Sequence, residues 1–316
     1  MADVIENTEF VPAEGAATPA SIVAALKAVA GNPPKVRASF AKGRCVRGRY
    51  VPSERVAEIT RSVNFTRPGR VLARFSMGGG NPNVPDTNRL VLRGFSFRIE
   101  TDGETSDILV ESAPVHFART LDQMLAFLKA RIPGPDGKPD PAKVKSFSDA
   151  NPETLNQAKY IAARSLPASF AGTTYWGVHS FPVINEAGKT RFIKFKIVPR
   201  IGEIVLTDEE AKEKAVDFLH HDLEDRIRNG GIEFDILALL DRPGDPTMDV
   251  TARWPGEDER ETVVLGTITI DAIDSDHACD VSIFDPGTLA HGVGYPPDEI
   301  FAARLKAYRI SLAKRQ

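Results

Sequence analysis

Short stretches in which hydrophobic and polar residues alternate run through most of the chain from Lys35 onward, and Gly, Pro, Asn and Asp separate them. Alternation with a period of two is typical of β-strands that bury one face. Glycine-containing segments at 101–103 and 185–188 predict hairpin connections between such strands. The predicted strands include Arg44 to Val51, Arg70 to Ser76, Gly94 to Thr101, Ile108 to Glu111, His179 to Asn185, Phe192 to Pro199, Ile232 to Leu239 and Val263 to Ile270.

Helical patterns occur among these strands. The predicted helices are Pro19 to Ala30, Leu121 to Arg131, Pro152 to Arg164, Asp208 to Asn229 and a last helix after Pro296-Pro297. Because strands outnumber helices and turns separate them at short intervals, we expect an α+β protein: an antiparallel β-barrel with helices packed outside it. We predict an N-terminal arm and short helix over 1–34, mobile up to about residue 18, and a single domain over 35–316.

Composition narrows the possible partners. Apolar residues make up 42% and charged residues 26% of the 316-residue chain, which is ordinary for a soluble globular protein. The formal net charge of -3 gives no electrostatic reason to expect nucleic acid as a partner. No apolar run approaches the ~20 residues that span a bilayer, and the acidic start of the chain does not resemble a secretory signal. We therefore expect no membrane contact and a location in the cytoplasm.

Cysteine and histidine give few signs of a metal site. Cys45 and Cys279 are too few for a disulfide framework or a thiolate metal cage. Either could be a redox-active thiol, but we favour two buried residues without a chemical role. His220 and His221 are expected on the solvated face of the helix over 208–229, and His179 is expected to be structural. HExxH, CxxC, P-loop and dinucleotide-binding patterns are absent from the sequence.

The last helix carries the most informative pair of side chains. Prolines and acidic residues precede its helix-forming residues and basic residues follow, as the helix dipole favours. Arg304 and Tyr308 are four residues apart and so lie on one face. A permanently charged guanidinium stabilises a neighbouring phenolate, and tyrosinate is a ligand of ferric haem iron. Taken alone, an Arg-x-x-x-Tyr pair is most often a surface contact.

Four further segments occur in an order that changes this interpretation. They are Arg37-Ala38-Ser39-Phe40-Ala41-Lys42-Gly43, Arg74-Phe75-Ser76, Arg93-Gly94-Phe95 and Ser112-Ala113-Pro114-Val115-His116-Phe117. Together with the Arg-x-x-x-Tyr pair, they resemble the motifs of the catalase family. The resemblance extends from about Lys35 to the C-terminus and is closest to the short catalase-related peroxidases that keep only the haem core.

The resemblance implies a haem b cofactor and assigns residues to it. Tyr308 would be the iron ligand, with Arg304 beside it. Three arginines, Arg37, Arg74 and Arg315, are candidates to neutralise the haem propionates through charge-assisted hydrogen bonds. Ser39 and Phe117, which lie within the matched motifs, are expected to contact the haem as well.

The departures from the family pattern fall on the residues that handle peroxide. Phe40 stands where the family has its distal histidine, and a phenyl ring cannot transfer the proton that imidazole transfers. We assign Ser112 to the position of the distal asparagine, where its hydroxyl could still donate one hydrogen bond. His116 occupies a position where the family usually has Phe. It could supply an imidazole to the pocket from another wall, or it could bond a backbone carbonyl.

The sequence therefore predicts a peroxidase-like oxidoreductase that acts on an organic substrate or peroxide and has little catalase activity. Two alternatives remain open: a haem-dependent lyase, isomerase or dehydratase, and a haem-binding protein that is not an enzyme. The resemblance also suggests a homodimer or a larger homo-oligomer.

Overall fold

A computed structural model describes residues 15–281 and 283–316; most of the predicted arm, residues 1–14, lies outside this range. Its strands are β1 (Gly43–Pro52), β2 (Gly69–Met77), β3 (Arg93–Thr101), β4 (Glu104–Glu111), β5 (Tyr175–Trp176), β6 (Phe181–Ile184), β7 (Thr190–Pro199), β8 (Ile232–Leu240) and β9 (Thr262–Ile273). Every pairing between these strands is antiparallel. Strand β5 pairs with both β4 and β7, and this closes an eight-stranded barrel to which β6 adds at β7. The predicted barrel is confirmed.

The alternating sequence pattern explains how the barrel closes around its core. In β3, for example, Phe95, Phe97 and Ile99 are fully buried inside the barrel, whereas the residues between them face outward. The rings of Phe75 and Phe95 stack inside the barrel with centroids 4.4 Å apart. Gly48 lies at a bulge between β1 and β9, where a Cβ atom would come within 1.9 Å of the carbonyl oxygen of Thr269. Only glycine permits this close approach of two strands.

Helices cover part of the outside of the barrel. They are α1 (Pro19–Val29), α2 (Val63–Thr66), α3 (Leu121–Lys129), α4 (Pro141–Ala150), α5 (Asn156–Ala162), α6 (Asp208–Lys212), α7 (Phe218–Arg228), α8 (Asp276–Asp280) and α9 (Glu299–Ala313), with short 3-10 turns at Val56–Glu58, Pro152–Leu155 and Glu257–Glu259. Helix α9 begins at the N-cap Asp298, whose carboxylate accepts the N–H of Phe301 at 2.8 Å. In the part of the chain that the structure describes, no helix is long and apolar enough to cross a membrane.

The prediction of one continuous helix over 208–229 is wrong, because this segment forms two helices, α6 and α7, with a break between them. A buried carboxylate from a distant segment caps the second of these helices: Asp86 accepts the N–H of Leu219 at 3.0 Å near the start of α7. The same carboxylate lies 3.0 Å from Nδ1 of His220 and 2.8 Å from Nζ of Lys42. His220 is therefore partly buried and paired, which corrects its predicted place on a solvated face.

The prediction of two unpaired cysteines is also wrong. Cys45 in β1 and Cys279 in α8 are both buried, as expected, but they form a disulfide across a sequence separation of 234 residues. The barrel brings β1 next to α8, a contact that the spacing of two cysteines does not reveal. The disulfide ties α8 to the barrel beside residues that belong to the site described next.

Candidate active site

A cavity of about 540 Å³ lies between the outer face of the barrel and the helices α1, α3, α5 and α9. The strand register explains which residues the barrel contributes. Gly94 of β3 is the Cα partner of both Ser76 in β2 and Glu111 in β4, and these outward positions alternate with core positions such as Phe95 and Val110. The helices contribute mainly apolar side chains. Among these are Ile22, Leu26, Val29, Met124, Phe127, Leu128, Ile161, Ala303 and Ala307.

Tyr308 on α9 lines the cavity at the end of a chain of hydrogen bonds. Nη2 of Arg304 donates to the Tyr308 hydroxyl at 2.9 Å, and Nη1 of Arg304 lies 2.6 Å from Nε2 of His179. Nδ1 of His179 lies 2.8 Å from a carboxylate oxygen of Asp298. Arg304 is always a donor, so Nε2 of His179 must accept and Nδ1 must carry the proton that Asp298 accepts. His179 thus has the structural role that the sequence suggested.

Electrostatics agree with this arrangement of protons. Burial lowers the pKa of His179 even though Asp298 opposes the shift, so the imidazole is neutral and can accept from Arg304. Burial alone would raise the pKa of Asp298, but His179, the N–H of Phe301 and Arg304 together hold it below its usual range. The network therefore consists of a carboxylate, a neutral imidazole, a guanidinium and a phenol, each fixed by its neighbour.

Three guanidinium groups lie together at another part of the cavity lining. Arg37, Arg74 and Arg315 all line the cavity. Burial, together with repulsion from Arg37 and Arg315, lowers the pKa of Arg74 to about 9. Burial and the charge of Arg37 likewise lower the pKa of Arg315 to about 10. Within the described residues, Nε of Arg37 is buried and has no hydrogen-bond partner. Such a cluster is suited to anionic groups of a ligand.

The disulfide-linked helix α8 orients two of these arginines. Nη2 of Arg37 donates to the carbonyl oxygen of Cys279 and to a carboxylate oxygen of Asp280, the latter at 3.0 Å. Arg315 donates to the carbonyl oxygen of Asp280 at 3.1 Å. The Cys45–Cys279 bridge therefore supports the guanidinium cluster as well as the barrel.

Phe40 lies in the cavity wall in a constrained conformation. Its φ angle is 52°, in the left-handed region that side chains other than those of Gly, Asn, Asp and His seldom adopt. Arg74 holds this segment by donating to the carbonyl oxygens of Phe40 at 2.8 Å and Ala41 at 3.0 Å. The ring lies directly over Gly94, where a Cβ atom would come within 2.8 Å of it. An apolar ring thus occupies the barrel face of the cavity.

His116, Phe117 and Ser39 also line the cavity, as the sequence predicted for residues of the site. Nδ1 of His116 lies 2.9 Å from the carbonyl oxygen of Ala118, which is the backbone contact considered as one of its two possibilities. Burial lowers the pKa of His116 to about 4, so its ring is neutral near pH 7. The Phe117 ring packs against His116 and Phe127, with centroids 4.3 and 4.4 Å away.

Ser112 is the one predicted site residue that does not line this cavity. It lines a separate, smaller pocket, and its hydroxyl accepts the N–H of Arg93 at 2.9 Å. The preceding residue, Glu111, lines the main cavity instead and was missed by the sequence analysis. The strand pattern contained the necessary signal: Ile108 and Val110 are core positions, so Glu111 must face the opposite side of β4.

The barrel and its external cavity define a class of β-barrel protein with a ligand-sized cavity between the barrel and the helices that cover it. A family model described as Catalase matches residues 34–316. The chain belongs to the catalase family.

Curated relatives support this assignment over nearly the whole chain. The catalase-related peroxidase of Synechococcus elongatus is 32% identical over 303 residues, which cover 94% of this chain and 88% of that protein. The catalase-related peroxidase of Mycolicibacterium paratuberculosis is 30% identical, with 95% and 96% covered. A solved fungal catalase has the same fold, with a TM-score of 0.79 and 21% identity over 89% of this chain. This chain spans only 59% of that catalase.

The family implies a haem cofactor, and the cavity fits one. Its volume lies within the ~300–1,000 Å³ range of small-molecule and cofactor sites. Apolar helix faces suit a porphyrin, and Tyr308 offers an oxygen ligand of the kind that haem iron accepts in this family. The clustered arginines, including the buried Nε of Arg37 that lacks a partner among the described residues, suit the propionates.

Proposed function

We propose that the protein is a haem b peroxidase that reduces organic hydroperoxides with an organic reductant and has little catalase activity. The observation that carries this proposal is the cavity itself, which joins a phenol held by Arg304 to an apolar face formed by Phe40. Relatives described as catalase-related peroxidases support the same reaction class. Family membership alone would not be sufficient, because one fold supports many activities.

Each wall of the cavity has a part in this proposal. Haem, when bound, would supply an iron centre that can accept and donate electrons. Tyr308 would bind the iron, with Arg304 and His179 holding the phenol oxygen in place. Arg37 and Arg315 would neutralise the propionates. Arg74 would also do so, through the N–H groups of its guanidinium that are not bonded to backbone carbonyl oxygens. Ser39 and Phe117 would contact the porphyrin.

Phe40 would determine which peroxide is favoured. A phenyl ring next to the reacting oxygen excludes water and offers a contact for an organic group. It cannot take a proton from hydrogen peroxide, and a missing general acid or base commonly lowers a rate by ~10²–10⁴-fold. Low disproportionation of hydrogen peroxide and preference for an organic hydroperoxide follow from the same substitution.

A haem-dependent lyase, isomerase or dehydratase is the second candidate. It is favoured by Phe40 and by the neutral, backbone-bound ring of His116, because such reactions need no proton delivered to a departing peroxide oxygen. A haem protein without enzymatic activity is the third candidate.

Location and assembly remain proposals drawn from the sequence. We propose one domain over 35–316, a homodimer or larger homo-oligomer, and a cytoplasmic location. The Cys45–Cys279 disulfide argues against the cytoplasmic location, because disulfides persist mainly in oxidising compartments.

The test is turnover by the haem-loaded protein. We expect oxidation of guaiacol with cumene hydroperoxide, and little oxygen release from hydrogen peroxide. Rapid oxygen release would identify a true catalase and overturn the proposal. Failure to oxidise a reductant with any peroxide, together with haem-dependent conversion of a fatty acid hydroperoxide in the absence of a reductant, would favour the second candidate.

A further inference from the structure

Glu111 is the one carboxylic acid among the described residues that line the cavity. It ends β4 and is partly accessible, while the residues on either side of it in the barrel wall are Gly94 of β3 and Trp176 of β5. Carboxylic acids are rarely enclosed unless they are paired, so an enclosed one in a cavity requires a reason.

The strand register puts Glu111 beside Phe40. Ser76, Gly94 and Glu111 form one row across β2, β3 and β4. The Phe40 ring lies directly over the middle of that row, within 2.8 Å of where a Gly94 Cβ would be. Neighbouring positions of such a row are ~4.5–5.5 Å apart. Glu111 therefore occupies the position next to the one over which the Phe40 ring lies, and Phe40 stands where the family motif has its histidine.

One oxygen of Glu111 is fixed and the other is not. Nε2 of Gln157 on α5 donates to Oε1 at 2.8 Å, and the same nitrogen donates to the carbonyl oxygen of Val115 at 2.8 Å. Among the described residues, Oε2 has no hydrogen-bond partner, although it is not a fully buried atom. An oriented carboxyl with a second oxygen exposed to a cavity has the geometry of a general acid or base.

The surroundings of Glu111 suit proton exchange near neutral pH. Burial raises its pKa to about 8, while Arg304 from α9 and the Gln157 amide from α5 lower it. His116, which also lines the cavity, is neutral at this pH, and Trp176 carries no charge. Both the acid and the carboxylate are therefore populated between pH 7 and pH 9, whereas the His116 ring is too weak a base for this role.

We propose that Glu111 acts as acid and base, in place of the missing imidazole, for a hydroperoxide whose organic group packs against the Phe40 ring, a contact that hydrogen peroxide cannot make. The inference rests on the proposed function. The Glu111 carboxylate takes the proton of ROOH, the O–O bond breaks, and the departing RO oxygen receives that proton and leaves as ROH. The terminal peroxide oxygen is reduced to water by two phenols, so that over the cycle ROOH + 2 ArOH gives ROH + H₂O + 2 ArO•, and each phenol supplies one electron and one proton.

The first experiment compares the wild type with E111Q across pH. We expect kcat/KM for cumene hydroperoxide, with guaiacol as reductant, to rise roughly tenfold per pH unit below pH 8 and to level off above it, since the carboxylate is the reactive form. E111Q should be ~10²–10⁴-fold slower and independent of pH. The control is E104Q, which changes an exposed glutamate of the same strand and should match the wild type.

A second measurement does not depend on turnover. Infrared difference spectra between pH 6 and pH 9 should show a carboxylic acid carbonyl band that disappears with a midpoint near pH 8, in the wild type and E104Q but not in E111Q. Replacing Gln157 by Leu removes the bond that favours the carboxylate, so the midpoint should move to higher pH.

Each outcome separates the inference from the proposed function. An active wild type with an equally active E111Q, or with no titrating band, would overturn the role of Glu111 and leave the peroxidase intact. A haem-loaded wild type that is inert towards hydroperoxides would overturn both. If E111Q does not bind haem, E111D keeps the carboxyl: a retained pH dependence supports the role, and a pH-independent rate overturns it.

Discussion

The two walls of the cavity are organised differently. The α9 wall, formed by Tyr308 and Arg304 with His179 and Asp298 behind them, is a continuous chain of hydrogen bonds that ends in a helix cap. The barrel wall, formed by Phe40 over Gly94 with Glu111 beside it, presents a phenyl ring and one enclosed carboxyl. The α9 wall matches the family motif, whereas the barrel wall departs from it.

This difference suggests that the α9 wall is organised to bind the cofactor and the barrel wall to react with the substrate. In a network whose hydrogen bonds are all made, the phenol oxygen is already fixed before the cofactor binds, because each group is oriented by the next. Binding then costs little further conformational entropy. The barrel wall instead carries a left-handed backbone at Phe40 and a carboxyl that burial forces towards its neutral form. Strain and perturbed pKa values of this kind tend to occur at reacting groups. A chain can thus keep a cofactor while it changes the chemistry above it.

The largest expected effect comes from removing the phenol of the α9 wall. In Tyr308→Phe, Arg304 loses its acceptor and the iron loses its oxygen ligand, so we expect loss of bound haem or a large shift of its absorption spectrum. Haem titration followed by absorption measures this directly. Tyr160→Phe, which removes a phenol outside the cavity lining, is the matched control and should bind haem normally. A normal spectrum in Tyr308→Phe would refute the assignment of the ligand.

The next effect concerns the barrel wall. Phe40→His restores an imidazole next to the reacting oxygen, and histidine adopts a positive φ more readily than phenylalanine. We expect turnover of hydrogen peroxide to rise by about 10²-fold, the lower part of what a positioned acid–base group supplies. Oxygen release is the measurement, and Phe147→His, which adds the same ring outside the cavity lining, should change nothing. Unchanged turnover in Phe40→His would mean that residue 40 does not lie at the peroxide.

A smaller effect should appear in the stability of the haem-free protein. Because the folded-state pKa of Glu111 is raised to about 8, the folded protein holds a proton that the unfolded chain releases above about pH 4.5. Stability is therefore lost as pH rises from about 4.5 to about 8. E111Q avoids this loss and should be more stable than the wild type by about 3 kcal/mol at pH 7, at 1.36 kcal/mol per unit of pKa shift.

Urea unfolding of the haem-free proteins at pH 5 and pH 7 measures this difference. The gain in E111Q should fall to about 1 kcal/mol at pH 5, because the carboxyl is then protonated in the folded state and partly protonated in the unfolded state. E104Q should show no pH-dependent gain, because Glu104 is exposed in the folded protein. Equal stability of E111Q and the wild type at both pH values would contradict an enclosed, mostly protonated Glu111.

Local patterns predicted much of the fold. Every strand named from the alternation of residues is present, with ends that differ by a few residues, because a period of two depends only on the residue and its immediate neighbours. Helix α4 was missed, although Asp140 followed by Pro141 is a helix start of the usual kind. The capping of α7 by Asp86 had no local signal, since Leu219, whose N–H it accepts, is 133 residues away.

The site was predicted less evenly. The motifs indicated Tyr308, Arg304 and the three arginines, all of which line the cavity. The assignment of Ser112 was one residue away from the side chain that reaches the cavity, Glu111, and a shift of one residue in a strand reverses the face.

The sequence by itself determined the strands of the barrel, the composition of the last helix and the four-residue spacing of Arg304 and Tyr308, because these depend on neighbours along the chain. Tertiary structure alone decided that His179, 125 residues from Arg304, completes the phenol network, and that Cys45 and Cys279 pair. It also decided that Glu111 shares a row with the glycine beneath Phe40. Burial, proton position and pairing are set by residues that only the closed barrel brings together.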